Sequence, residues 1–420
     1  MEHTNSCALR SRQFDQPTSG PTPARCNASF LDVSQHLTET ETPPETPTRS
    51  DSVTSTHIKR TTNRLPASEQ RQKESNAATE GILHFSARSG DYEVLKGSKL
   101  GSGRFSSVYL ARIIPPTTQD QVQGPLTPPA TPTGPQSRGV WSGPQPSVYA
   151  IKVAVDKSTA KTLRGEARIL SLLSQSPKSS QNIVCFHGFD PRCNSLVLAA
   201  MPGSLEDLVN GQLQFLDLAT RTAKLGAIFL HIARSLTSGL AWMHSLGVVH
   251  ADIKPPNMLL RPDMPVQIPL SGGQQLLDLS FTPVFADFTS SFTTTDDSKT
   301  ISSVGGGTYD YMAPEQLAPP FPVPNFKMDV YALAVSLLQV TTGFSPFREA
   351  GSNRHMKMAM IKEGKALSWA MRDAISAARL KGVADVMLAR HAIDLRALLE
   401  LGLRKNPNER LDAASWNRLW

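Results

Sequence analysis

The feature that most constrains this chain is a change of hydrophobic period near residue 160. Short β-prone runs occupy Tyr92–Leu100, Leu110–Ile114 and Val148–Val155, with Gly101–Tyr109 between the first two. Past Lys161, apolar residues recur at helical spacing. Leu163, Ala167 and Leu170 share one face, and Phe229, Ile232, Leu236, Leu240 and Met243 trace a longer stripe. Strands gathered first and helices second predict an α+β body with two lobes, one small and β-rich, the other larger and α-helical.

Residues 1–91 carry neither period. They are rich in Ser, Thr, Pro and Asn, with isolated apolar residues, and bury too little surface to offset ordering entropy, so they read as a disordered Ser/Thr/Pro-rich tail. The pairs Thr22-Pro23, Thr42-Pro43 and Thr46-Pro47 are either phosphate acceptors for a proline-directed enzyme or Pro-rich filler. A second Pro-rich stretch, 115–147, separates two β runs and is expected as a loop extruded from a hairpin, because closure entropy grows slowly with length.

The formal net charge of +7 suits an anionic ligand but includes no long Lys/Arg block, so no nucleic-acid partner is expected. Four cysteines, Cys7, Cys26, Cys185 and Cys193, lack metal-ligand spacing and are too few to staple a chain of 420 residues. Reduced thiols, and a cytoplasmic and/or nuclear location, follow as expectations. The start MEHTNSCALRSRQFD lacks the apolar run of a secretory signal, and no stretch reaches the ~18 apolar residues of a membrane span, so a soluble protein without a membrane partner is expected.

Chemistry-bearing residues fall into short motifs. Leu100-Gly101-Ser102-Gly103-Arg104-Phe105-Ser106-Ser107-Val108 puts a Gly-x-Gly turn between two β runs, where bare backbone N–H groups can close on phosphate oxygens; taken alone, it is equally an ordinary hairpin. Lys152, in the apolar run Val148–Val153, is either a fixed positive charge beneath those phosphates or a strand-edge lysine reaching water. Glu166 on the following helical stripe can hold that ammonium, or sit on the surface.

More specific is His250-Ala251-Asp252-Ile253-Lys254-Pro255-Pro256-Asn257. An Asp, a Lys two residues on and an Asn five residues on can hold a hydroxyl, a phosphate charge and a metal ion together. Phe285-Ala286-Asp287-Phe288 then places another carboxylate after a short apolar run, where nucleotide-bound Mg²⁺ can be held.

In this order the motifs resemble the eukaryotic protein kinase family over residues 92–420. The likeness continues through Gly307-Thr308-Tyr309-Asp310-Tyr311-Met312-Ala313-Pro314-Glu315, through Asp329-Val330-Tyr331-Ala332-Leu333, and to Asn406-Pro407-Asn408-Glu409-Arg410, whose arginine pairs in the family with the position of Glu315. Lys254 and Thr308 resemble the serine/threonine branch. The resemblance implies a bilobal kinase-like fold and transfer of the γ-phosphate of ATP, with Mg²⁺, to Ser/Thr hydroxyls of protein substrates. It implies that Leu100 to Val108 cover ATP, that Lys152 contacts its α/β-phosphates, that Glu166 anchors Lys152, and that main chain at Ala199 and Met201 binds adenine. It further implies that Asp252 takes the substrate proton, that Lys254 steadies the γ-phosphate, and that Asn257 and Asp287 hold Mg²⁺. No docking signature for an activator subunit is visible.

Four features depart from the family pattern. Ser106 replaces a third glycine without closing the loop to phosphate. Ala251 replaces an arginine that in the family grips a phosphorylated activation segment, so phosphate on Thr300, Ser302 or Ser303 would lack that partner, and activity is expected not to depend on it. Thr289 replaces a glycine, and its β-branch is expected to hinder a flip of Asp287-Phe288. Residues 261–283 form a longer hairpin loop than usual, expected near the rear of the cleft; its Leu276, Leu277 and Leu279 either pack on the large lobe or offer a docking strip. Ala251 and Thr289 keep a rival open, a pseudokinase scaffold that binds partners without phosphotransfer.

Overall fold

The β-branched and aromatic residues of the first runs form an antiparallel sheet. In the computed structural model its strands are β1 Asp91–Ser102, β2 Ser106–Ile114, β3 Val148–Ala154, β4 Phe186–Asp190 and β5 Ser195–Ala199, in the order β1-β2-β3-β5-β4. The residues described are 81–85, 91–103, 105–114, 148–156, 158–264, 266, 268, 275–297, 307–319 and 322–420. The Thr-Pro pairs, Cys7, Cys26, Arg104, the insert 115–147, Gly272-Gly273, and Thr300, Ser302 and Ser303 lie outside them. Cys185 and Cys193 are free thiols.

Helix α1, Ala160–Ser174, packs its stripe of Leu163, Ala167, Ile169, Leu170 and Leu173 out of water, each large side chain contributing about 1.5–3 kcal/mol. Its N-terminal end is weakly fixed: Thr159 makes no side-chain cap among the described residues, and the first turn carries no acidic residue to favour the helix dipole. A short α2, Ser179–Asn182, leads into β4.

The second lobe is helical: α3 Leu205–Gly211, α4 Leu218–Ser245, α5 Phe326–Thr342, α6 Arg354–Glu363, α7 Ala366–Arg372, α8 Ala374–His391, α9 Leu395–Gly402 and α10 Ala413–Asn417. The expected stripe of α4 is buried as read, from Phe229 to Met243. Helix α5 is buried from Met328 to Thr342. Its last carbonyls are capped by two buried cations: Arg221 donates to Thr341 O at 2.8 Å and Val340 O at 3.0 Å, and Arg379 to Thr342 O at 3.1 Å. Two small ribbons carry the site, β6 Val248–Val249 with β9 Phe292–Thr293, and β7 Met258–Pro262 with β8 Phe281–Phe285. The α+β, two-lobed architecture is as the sequence indicates. Among the described residues no helix is long and apolar enough to cross a membrane.

Upstream of the boundary drawn at residue 91, residues 82–85 are packed: Ile82 joins the main core, and Phe85 joins Ala111, Tyr149, Ile151 and Val197 on the opposite face of the sheet. Ile82, Leu83 and Phe85 are too short a run to show a period, so the sequence does not announce them. Strands β1 and β2 run further into the glycine loop than expected, Ser102 pairing with Ser107. In the long loop, Leu276 is buried, and Leu277 and Leu279 pack against the same core, so these leucines serve packing. Leu277 N–H donates to Gln212 Oε1 at 2.9 Å, which seats the loop's return beside α3.

Candidate active site

Lys152 stands in β3 opposite Val108 of β2 and Leu196 of β5. Only 5% of its side chain is exposed, and Nζ lies 2.7 Å from Glu166 Oε2 and 2.7 Å from Asp287 Oδ1. Burial works to lower the Lys152 ammonium, but the two carboxylates outweigh it and hold it above its usual range. Burial works to raise Asp287, yet Lys152 and the hydrogen bond from Thr289 hold its carboxyl well below the carboxylate range. Glu166 is pushed up by burial against the pull of Lys152. Phe288 N–H donates to Glu166 Oε1 at 3.1 Å, tying α1 to the segment behind Asp287.

The catalytic-loop candidates hang from α5. Asp329, 1% exposed, accepts the main-chain N–H of His250 at 2.8 Å and of Ala251 at 2.9 Å. These bonds hold Ala251 at φ +62°, a backbone region an L-residue occupies only when its surroundings impose it. His250 is fully buried; its Nε2 lies 3.2 Å from Ala286 O, and its Nδ1 accepts Asp252 N–H at 3.3 Å. Those two contacts fit a ring that donates through Nε2 and accepts through Nδ1.

Asp252 extends from this frame with Oδ2 2.8 Å from Lys254 Nζ and Oδ1 accepting Thr308 Oγ1 at 2.9 Å. Lys254 also donates to Thr308 Oγ1 at 2.8 Å. Asn257 Nδ2 donates to Asp252 O at 2.9 Å, and Ala286 N–H donates to Asn257 O at 2.9 Å, which joins this cluster to the Asp287 segment.

The structure therefore brings together Lys152, Glu166 and Asp287 in one cluster, and Asp252, Lys254, Asn257 and Thr308 in a second, joined by Ala286. Among the described residues, neither Asp287 Oδ2 nor Asn257 Oδ1 has a hydrogen-bond partner. No group of three or more His, Cys, Asp or Glu there is placed to hold a metal by itself. Two protein oxygens suit a Mg²⁺ ion whose shell is completed by phosphates and water.

In the glycine loop, Gly103 N–H donates to Ser106 O at 2.8 Å, closing the turn. A Cβ on Gly101 or Gly103 would meet nothing within 4 Å among the described residues, whose packing therefore does not demand glycine at either position. That bareness fits close approach of a phosphate. Leu100 and Ser102 are exposed, Phe105 and Val108 half-buried, Ser106 and Ser107 buried. Ala199 ends β5 with its N–H donated to Cys185 O at 2.9 Å, while the main chain of Met201 makes no hydrogen bond among the described residues.

Arg410 meets Glu315 through two bonds, at 2.8 Å and 3.2 Å, and its guanidinium lies 5.0 Å from the Tyr331 ring centroid. Sequence reasoning missed the hydroxyl of Thr289, treated there only as a stiff backbone, and the ion pair of Arg168 with Asp296 at 2.7 Å. Nothing local in the sequence marks Asp296, since the partners are distant along the chain.

Residues 143–418 match the family described as Protein kinase domain, and the chain belongs to the protein kinase family. It is similar to Serine/threonine-protein kinase PKH3 of Saccharomyces cerevisiae, 28% identical over 207 residues that make up 48% of this chain and 22% of the yeast protein. It is similar also to a receptor-like serine/threonine-protein kinase of Arabidopsis thaliana, 28% identical over 48% of this chain and 49% of that protein. Proto-oncogene serine/threonine-protein kinase mos of Sus scrofa is 31% identical over 36% of this chain and 35% of its own length. The chain thus spans between about a fifth and a half of the length of these relatives.

Proposed function

We propose that this chain is a Mg-ATP-dependent kinase acting on Ser/Thr hydroxyls of protein substrates. The carrying observation is the convergence of the Lys152–Glu166–Asp287 cluster with the Asp252–Lys254–Asn257–Thr308 cluster across the shared Ala286 segment. Lys152 would hold the α/β-phosphates, with Glu166 keeping its ammonium in place. Asp287 and Asn257 would hold Mg²⁺, which, when bound, neutralises phosphate charge. The substrate oxygen attacks the γ-phosphorus, the bond from that phosphorus to the bridging oxygen of ADP breaks, and Asp252 accepts the hydroxyl proton. Lys254 meets the charge on the transferred group. Positioning and electrostatics account for most of the acceleration, because a loose transition state asks for little covalent help. The Lys254–Thr308–Asp252 contacts support the serine/threonine assignment, as do the names of the relatives.

The test is transfer of radiolabelled phosphate from ATP to a generic basic protein by the wild type, Asp252→Asn and Lys152→Met. Both substitutions are expected to lower transfer by ~100-fold or more. Equal labelling by all three overturns the proposal and leaves a kinase-shaped scaffold.

A further inference from the structure

Residues 82–85 lie upstream of the 143–418 family match, so the family likeness assigns them no role. We propose that they form a strap that positions Glu166 by clamping α1 to the outer edge of the small sheet.

Three main-chain bonds hold the strap. Phe189 N–H of β4 donates to Leu83 O at 2.8 Å, and Phe85 N–H donates to Phe189 O at 2.9 Å, so the strap runs parallel to β4 and covers an edge that would otherwise present unpaired groups. The third bond reaches the helix: Leu83 N–H donates to Ser171 Oγ at 2.8 Å. Ser171 is buried in α1, and its hydroxyl donates to Ala167 O, one residue past Glu166, at 2.6 Å. Ile82 fills the core on the α1 side, while Phe85 crosses to the other face and meets Tyr149 and Tyr92 edge-on at 5.9 Å and 5.7 Å.

Strand β4 is shaped for this occupant. Gly188 adopts φ +134°, and a Cβ there would lie 2.5 Å from Phe85 N, so only glycine admits the strap. Helix α1, for its part, lacks a side-chain cap at its N-terminal end, so side contacts bear on its placement. The strap is one such contact, and it bears on the turn that carries Glu166. Strap, helix and Lys152 then form one chain of support, in which the strap acts on the phosphate-binding lysine without touching it.

The exchange arm of the test does not depend on phosphotransfer; the rate arm rests on the function proposed above. Full-length Ile82→Asp/Phe85→Ala and the milder Ser171→Ala are compared with wild type by hydrogen exchange, reading Ala160–Ser174 against Phe326–Thr342 as an internal reference. The expected result is exchange in α1 faster by ~10-fold or more in both variants with the reference unchanged. Unchanged α1 exchange overturns the proposal, and so does equal acceleration of both helices, which would make the strap a general stabiliser. In the rate arm, the double variant is expected to lower kcat/KM for transfer by ~10-fold, and an unaltered rate beside a loosened α1 overturns the link to Glu166. A wild type that transfers no phosphate sinks the function proposal alone, because the exchange arm still decides the strap.

Discussion

The hydroxyl of Thr289 accepts a hydrogen bond from Lys152 Nζ at 3.0 Å, inside the cluster that joins Glu166 to Asp287. It lies 3.2 Å from Glu166 Oε2 and also donates to Asp287 Oδ1. Thr289 is thus a fourth polar member of the cluster, and it occupies one oxygen of Asp287 while Oδ2 stays free of intramolecular partners among the described residues. The hydroxyl, rather than the β-branch, is what the site uses.

Removing that hydroxyl without changing shape isolates its role. Thr289→Val takes away the one proton given to Asp287 and the acceptor offered to the buried Lys152 ammonium, a loss of about 1–3 kcal/mol. Transfer by Thr289→Val is expected to fall ~10-fold or more, whereas Thr289→Ser, which keeps the hydroxyl, stays within ~3-fold of wild type. Steady-state rates for the three proteins check this, and a Ser variant as impaired as Val would assign the effect to packing.

Phe288 is fully buried, its N–H is spent on Glu166, and the left-handed backbone falls on Asp287 at φ +61° rather than on Thr289. The observed arrangement therefore places no positive-φ penalty on Thr289, while swinging Phe288 out breaks the Glu166 bond and strips a ring from the core. Inhibitors that need Phe288 displaced are expected to bind poorly, and Thr289→Gly to tighten them ~10-fold by freeing the backbone. Competition binding with such a compound decides the matter; equal affinity for both proteins would refute it.

Arg168 of α1 pairs with Asp296, whose carboxylate also accepts Thr293 N–H at 2.7 Å. With Ala251 in place of a basic residue, this pair supplies a fixed charge contact from α1 to the segment after Asp287. Side-chain exposures of 39% and 13% limit its worth to roughly 0.5–1 kcal/mol. Asp296→Asn is expected to reduce transfer a few-fold, Arg168→Asp/Asp296→Arg to recover part of it, and phosphatase treatment to leave the wild type unchanged. A double-mutant cycle with zero coupling, or inactivation by phosphatase that rephosphorylation reverses, contradicts this.

The parts of the molecule legible in the sequence are those whose signal is local. Asp252, Lys254 and Asn257 lie within six consecutive positions, and the stripe of α4 repeats a period over several turns, so neighbours along the chain declare both. Leu83, Thr289 and Asp296 work through partners 88 to 137 positions away or through a hydroxyl whose surroundings exist only after folding. Gly188 illustrates the limit: a glycine in a β run signals a close approach, yet the identity of the approaching Phe85 is a tertiary fact.

One half-buried base gives the small lobe a pH dependence of its own. His187 in β4 lies 4.9 Å from the Tyr149 ring, its Nε2 has no partner among the described residues, and burial lowers its pKa to about 4. The unfolded chain takes up that proton near pH 6.5, so between about 6.5 and 4 it binds more protons than the folded one, and stability falls as pH falls. The contribution is complete above about pH 6.5 and is reduced by about 2 kcal/mol at pH 5. His187→Phe keeps an aromatic ring beside Tyr149 and cannot titrate. Urea unfolding at pH 7.5 and pH 5 is expected to show wild type losing about 2 kcal/mol more than the variant, and parallel losses would place the histidine proton elsewhere.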